Sequence, residues 1–230
     1  MTDAIVSSAY FGALLSIAAY AAGMWLKKKF KLAIFNPLLI AILLVIAVLL
    51  VTGIDYDSYN AGAKYISYLL TPATVCLAIP LYRQLALLKK HALAVFTSIT
   101  AGVIASLGGV FALSCVFGLN HTQYVTLLPK SITSAIGLGM SQELGGIPAI
   151  TVAVIIVTGI LGNISAGFLS RLFRINEPLA QGLAIGTASH AIGTARALEL
   201  GEVQAAMSSL AIVVSGLLTV VGASIFANFR

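Results

Sequence analysis

The sequence predicts an all-helical, polytopic membrane protein on three observations: few charges, long uncharged apolar runs, and charges gathered between those runs. Of the 230 residues 60% are hydrophobic and 9% charged, against roughly 25% charged in a soluble domain. Uncharged runs cover residues 4–26, 32–54, 65–82, 92–129, 144–170, 178–195 and 203–229. A helix crosses hydrocarbon with about 20 apolar residues, so most of these runs can span. The expectation is one domain over residues 1–230 with about seven to eight membrane segments, broken or re-entrant helices among them.

Element by element, the excess of Lys and Arg on cytoplasmic loops orients the chain. Met1-Thr2-Asp3 lacks the basic region of a cleavable signal, and the basic cluster Lys27, Lys28, Lys29, Lys31 follows the first run. That cluster puts the first loop inside and the N-terminus outside. The acidic stretch 55–60 reads as an outer loop, Arg83, Lys89, Lys90 and His91 as inner, and 118–123 as outer. Residues 124–143 either cross or dip in and return. The second reading is preferred because it keeps Arg171 and Arg174 inside. Two crossings over 178–200 and 203–229 then bring Arg230 to the cytoplasm. Asn36-Pro37 in the second span, and Thr71-Pro72 with Pro80 in the third, read as breaks. Sliding the chain by 57 residues aligns Pro72 with Pro129, Ile99 with Ile156 and Gly102 with Gly159. This predicts a repeat of residues 65–118 in 122–175, of the inverted kind found in transporters.

Two segments are too polar to face lipid. Pro129-Lys130-Ser131-Ile132-Thr133 offers a proline suited to the first turn of a helix, whose N-terminus would attract an anion. In Gly186-Thr187-Ala188-Ser189-His190-Ala191-Ile192-Gly193-Thr194-Ala195-Arg196 the Gly-Thr-Ala triplet recurs after seven residues. On a continuous helix this puts Thr187, His190 and Thr194 on one face, with Ser189 and Arg196 beside it. Ionisable groups in a membrane need partners, so Lys130, His190 and Arg196 are candidate site residues, although Arg196 can also pair with Glu199 or Glu202. Cys76 and Cys115 read as buried small hydrophobes. No acid occupies a span centre and no hydrolase, zinc or phosphate-loop motif is present, so neither metal, cofactor nor enzymatic activity is expected. The net charge of +6 fits loops facing anionic lipid rather than nucleic acid.

With Asn36-Pro37-Leu38-Leu39, Pro72-Ala73 through Leu81-Tyr82, the Pro129-Lys130 segment, Gly145-Gly146-Ile147-Pro148-Ala149-Ile150 and the His190 segment, the chain resembles the LrgB/CidB family over nearly its whole length. It departs at Ser134-Ala135, where family members tend to carry Thr-Pro. The resemblance implies a multi-pass protein of the bacterial inner membrane, with one of two functions. One is regulation of murein hydrolase export and autolysis beside a small LrgA/CidA-like membrane partner. The other is transport of small monocarboxylates such as pyruvate or glycolate, as in the related plastidial glycolate/glycerate translocator. The absence of an acidic ion site favours the anion carrier. Its expected binding residues are Lys130, Ser131, Thr133, Thr187, Ser189, His190, Thr194 and Arg196, with Asn36 and Thr71 at the other breaks. Association with further copies of the chain is also expected.

Overall fold

The computed structural model describes residues 10–30, 35–76 and 78–230, apart from the side chains of residues 70, 71, 74 and 81. Lys31, the first three residues and the Thr71 side chain therefore lie outside the described residues. All regular structure among the described residues is helical, as the composition predicts. The chain forms two compact units, Met1–Cys76 and Leu77–Arg230.

In the first unit α1 is Phe11–Phe30, α2 Pro37–Thr52, α3 Tyr56–Ser67 and α4 Leu70–Cys76. Asn36-Pro37 starts a helix instead of breaking one. The Asn36 side chain accepts from Leu38 N at 2.9 Å and Leu39 N at 3.2 Å, and Pro37 occupies the first turn, where its missing N–H costs nothing. The acidic stretch expected as a loop is likewise the head of α3. Asp55 accepts from the hydroxyl and backbone N–H of Ser58, and these two bonds, the hydroxyl's the stronger, hold its carboxyl below the usual carboxylate range. The cap is therefore kept at neutral pH and lost on acidification through that lowered pKa. Gly23 lets α1 approach α2 closely, since a Cβ there would lie 2.6 Å from the Pro37 carbonyl.

In the second unit α5 is Ala78–Arg83, α6 Leu85–Lys90, α7 Ala92–Val116, α8 His121–Leu127 and α9 Ser134–Glu143. Then come α10, Pro148–Leu172, α11, Pro178–Leu200, and α12, Glu202–Phe226, closed by a 3-10 turn at Ala227–Phe229. Helices α7, α10 and α12 with its closing turn are long and apolar enough to cross a membrane. Their exteriors carry large apolar side chains such as Leu93, Val116, Phe168 and Leu217. Their interiors hold buried hydroxyls such as Ser114, Thr151, Ser208 and Thr219. That inversion of the soluble pattern suits helices that meet lipid outside and each other through small, hydrogen-bonded residues. Cys76 and Cys115 are free and exposed, not packed in a core as expected.

The expected continuous helix over 178–200 is a hairpin. His190 takes φ 41° and ψ −142°, a conformation that costs a β-carbon residue roughly 1–3 kcal/mol, and the chain reverses there. A Cβ at Gly193 would lie 3.1 Å from the carbonyl of Ile185, whereas a continuous helix separates residues eight apart by about 12 Å. Both arms rest on one residue of α12: Gly186 abuts the Ser208 backbone, and Thr194 Oγ1 lies 2.7 Å from Ser208 Oγ. Residues 178–189 thus run alongside α12 and residues 191–200 return beside it. Gln181 accepts from Gln204 at 3.3 Å and donates to the Ile175 carbonyl at 2.7 Å. The base of this hairpin therefore lies at the end of the unit that holds Arg171, Arg174 and the Arg83–Glu202 ion pair.

Residues 121–143 form a second hairpin pointing the opposite way. The Thr151 hydroxyl of α10 lies 2.9 Å from the Thr126 carbonyl on one arm and 2.7 Å from Ser141 Oγ on the other. The two arms therefore stand side by side, joined by a turn over residues 128–133. The base of this hairpin is at the other end, where His121 Nδ1 donates to the Arg230 carbonyl at 2.6 Å and the Tyr124 hydroxyl to the Phe226 carbonyl at 2.8 Å. Arg230 thus lies opposite the Arg83–Glu202 end, not beside Arg171 as two full crossings would require. The one-way path through 178–200 fails because the sequence reads His190 as a mid-helix residue.

Candidate functional site

Where the tips of the two hairpins approach α7, a cleft of about 550 Å³ opens. Small residues make room for it. Ser98, Gly102 and Ser106 follow each other at four-residue steps on one face of α7, which is the spacing of a helical stripe. Gly102 meets Thr187 on the first arm of the second hairpin, where an added Cβ would sit 2.8 Å from Thr187 Cγ2. The turn of the first hairpin contributes Lys130 and Ser131.

Lys130 Nζ donates to Ser131 Oγ at 2.9 Å, and Ser131 Oγ is 3.2 Å from Ser106 Oγ. Ser106 stands 14 residues past the start of α7, about 21 Å along a helix about 37 Å long. The lysine is thus tethered near mid-height of the helix. Among the described residues no acid lines the cleft, and the ion pairs Arg83–Glu202 and Arg196–Glu199 leave Lys130 aside. A cation in a mostly apolar cleft, with hydroxyls close by and no carboxylate, has the chemistry to receive a small anion.

The other candidate residues are dispersed. Thr187 lines the cleft. Thr194, expected on the same face, lies on the returning arm and bonds Ser208. His190 is the tip itself, and its Nε2–H is committed to the Ile155 carbonyl at 3.0 Å. Ser189 packs against Gly162 of α10. The Asn163 amide of that helix donates to the Ile192 carbonyl at 2.9 Å, which steadies the backbone beside the reversal. Arg196 pairs with Glu199 toward the base of the hairpin, so the structure does not bring it to Lys130. Thr133 heads α9 without a side-chain cap bond, and Lys130 lies in the turn before that helix, not in its first turn. Asn36 caps α2 in the first unit. The α7 residues Ser98 and Ser106 do not stand out in the sequence as site residues, and Gly102 does so only in the repeat. Their four-residue spacing in an otherwise apolar run is the signal that would have found them.

Among the described residues, three helices long and apolar enough to cross a membrane, two opposed hairpins and a cationic cleft mark a helical membrane protein with a small, mostly apolar site. The chain belongs to the LrgB-like family, whose model matches residues 16–229. It is 41% identical over 221 residues to the "Antiholin-like protein LrgB" of Bacillus cereus (strain B4264), covering 96% of each chain. The same identity and coverage hold for the protein of that name from Bacillus anthracis (strain A0248). No solved structure matches the chain.

Proposed function

We propose that this chain is an antiholin-like regulator that restrains autolysis from within a bacterial inner membrane. The observation that carries this reading is the 41% identity over 96% of relatives named antiholin-like. In this reading it is multi-pass, limits murein hydrolase export, and works beside a small LrgA/CidA-like membrane partner and further copies of itself. Cells lacking the protein should then lyse faster than the parent after a lytic challenge, followed as the fall in turbidity, and cells overproducing it should lyse more slowly. Lysis curves that coincide in all three strains would remove the reading.

A second reading is favoured by one specific feature, Lys130 in the cleft between hairpin tips with no ion-pair partner among the described residues. Here the chain carries small monocarboxylates such as pyruvate or glycolate. The hairpins over residues 121–143 and 178–200 enter the membrane from opposite faces, adding broken segments to the three crossing helices. Lys130 receives the carboxylate, with Ser131, Ser106 and Thr187 offering hydroxyls. Proteoliposomes holding the parent protein should accumulate labelled pyruvate or glycolate, and those holding Lys130→Met should not. No uptake by the parent above protein-free liposomes would end this reading without touching the first, and equal uptake by both proteins would take Lys130 out of it.

A further inference from the structure

We infer that the Lys130 cleft is entered from one face of the membrane only, the face of Arg171 and Arg174, and that an aromatic cap seals it from the other. The inference rests on the hairpins lying within the membrane, as proposed above, and is indifferent to which cellular role is correct.

The first support is the order of the lining residues. Leu179 and Ala180 belong to the first turn of α11, at the base of its hairpin, and Ser98 lies in the second turn of α7. These residues form the mouth, at the Arg171 end. Ser106, Lys130, Ser131 and Thr187 line it near mid-height, with the exposed Ala188 beside them. No lining residue comes from the ten residues of α7 beyond Ser106, nor from α12.

The second support is what occupies the remaining height. Leu107, Val110, Tyr124 and Leu128 are at most 5% exposed and belong to one core. Beyond them Phe111 stacks edge-on with Tyr124 at 6.1 Å and with Phe229 at 5.9 Å, and Phe226 lies 5.0 Å from Phe229. The Tyr124 hydroxyl pins α8 to the end of α12 through the Phe226 carbonyl. These ring contacts and the buried core stand between the cleft and the Arg230 end of the unit.

The third support is that the barrier belongs to one of two similar halves. Residues 121–172 are a hairpin followed by a long helix, and so are residues 178–226, running the other way. In each half a hydroxyl on the returning arm bonds one on the following helix, Ser141 to Thr151 and Thr194 to Ser208, both at 2.7 Å. The halves are alike in build, and the cap closes the end at which only the first of them has its base.

The experiment is labelling of single cysteines, in intact membranes of both orientations, with a membrane-impermeant maleimide. The background carries Cys76→Ser and Cys115→Ser, both replacing exposed residues. Ala188→Cys in the cleft should label from the same face as Arg174→Cys, at least tenfold faster than from the other. Labelling from the opposite face, from both faces equally, or from neither would overturn the inference. Arg174→Cys reports orientation separately, and uptake or binding is read in other assays, so failure here does not count against the carrier reading. Loosening the cap by Tyr124→Phe or Phe229→Ala should raise labelling of Ala188→Cys from the other face at least tenfold. The first removes only a hydroxyl and the second an exposed ring, so both should fold. Unchanged labelling in both would show that the barrier lies elsewhere.

Discussion

Gly186→Val is expected to lower the melting temperature of the detergent-solubilised protein by about 6–12 °C, or to abolish its accumulation. A Cβ at position 186 would overlap the backbone carbonyl of Ser208 and stand 2.8 Å from the Ala211 Cβ. Backbone cannot swing aside as a side chain does. The first arm of the hairpin must therefore lift off α12, which separates it from the helix to which Thr194 is also bonded. Overpacking of this kind costs about 3 kcal/mol where relaxation is blocked, and each kcal/mol moves the melt of a protein this size by about 2–4 °C. Gly109→Ala is the control. Nothing lies within 4 Å of a Cβ there, so it should gain the roughly 0.5–1 kcal/mol that alanine holds over glycine inside a helix. Equal melts for Gly186→Val and the parent would mean that the arm does not seat on α12.

Composition was enough to read helices and lipid-facing surfaces, because the scarcity of charge is a property of whole runs and survives any error in their boundaries. The preferred return of residues 124–143 agrees with the antiparallel arms tied to Thr151, since the distribution of arginines constrains which ends lie together. The second hairpin was not legible. Its break falls at a histidine, not at glycine or proline, and the repeated Gly-Thr-Ala imitates helical periodicity across the reversal. What holds His190 in its strained conformation is tertiary: the Ile155 carbonyl, the Asn163 amide and the space left by Gly159. A single sequence read along its length cannot reveal that neighbours 35 residues away override local preference. Asn36 and Asp55 show the converse, because both are strong cap residues whose local signal was read as a break and a loop.

The site was half legible for the same reason. Lys130 and Thr187 were found because polar groups in apolar runs stand out, and both line the cleft. Arg196 stood out equally, yet its charge is answered three residues on by Glu199. This difference separates the two cations in an experiment. Small monocarboxylates should raise the melting temperature of the parent and of Arg196→Ala alike, and should leave Lys130→Met unmoved. At a hundredfold excess over the dissociation constant a ligand adds about 2.7 kcal/mol to the folded state, or about 5–10 °C for a chain of this length. Methionine keeps most of the lysine stem while removing the charge, so the unliganded variant should melt no lower than the parent. A charge near mid-membrane, here without an ion-pair partner among the described residues, costs roughly 2.5–3.5 kcal/mol on insertion scales, and its removal relieves that cost. Lys130→Arg should keep part of the shift, since it retains the charge but presents a planar fork in place of a compact ammonium. Sodium chloride at matched ionic strength controls for screening. An undiminished shift in Lys130→Met, or its loss in Arg196→Ala alone, would move the anion out of the cleft and onto the arginine, leaving the hydroxyl-lined tip without a ligand.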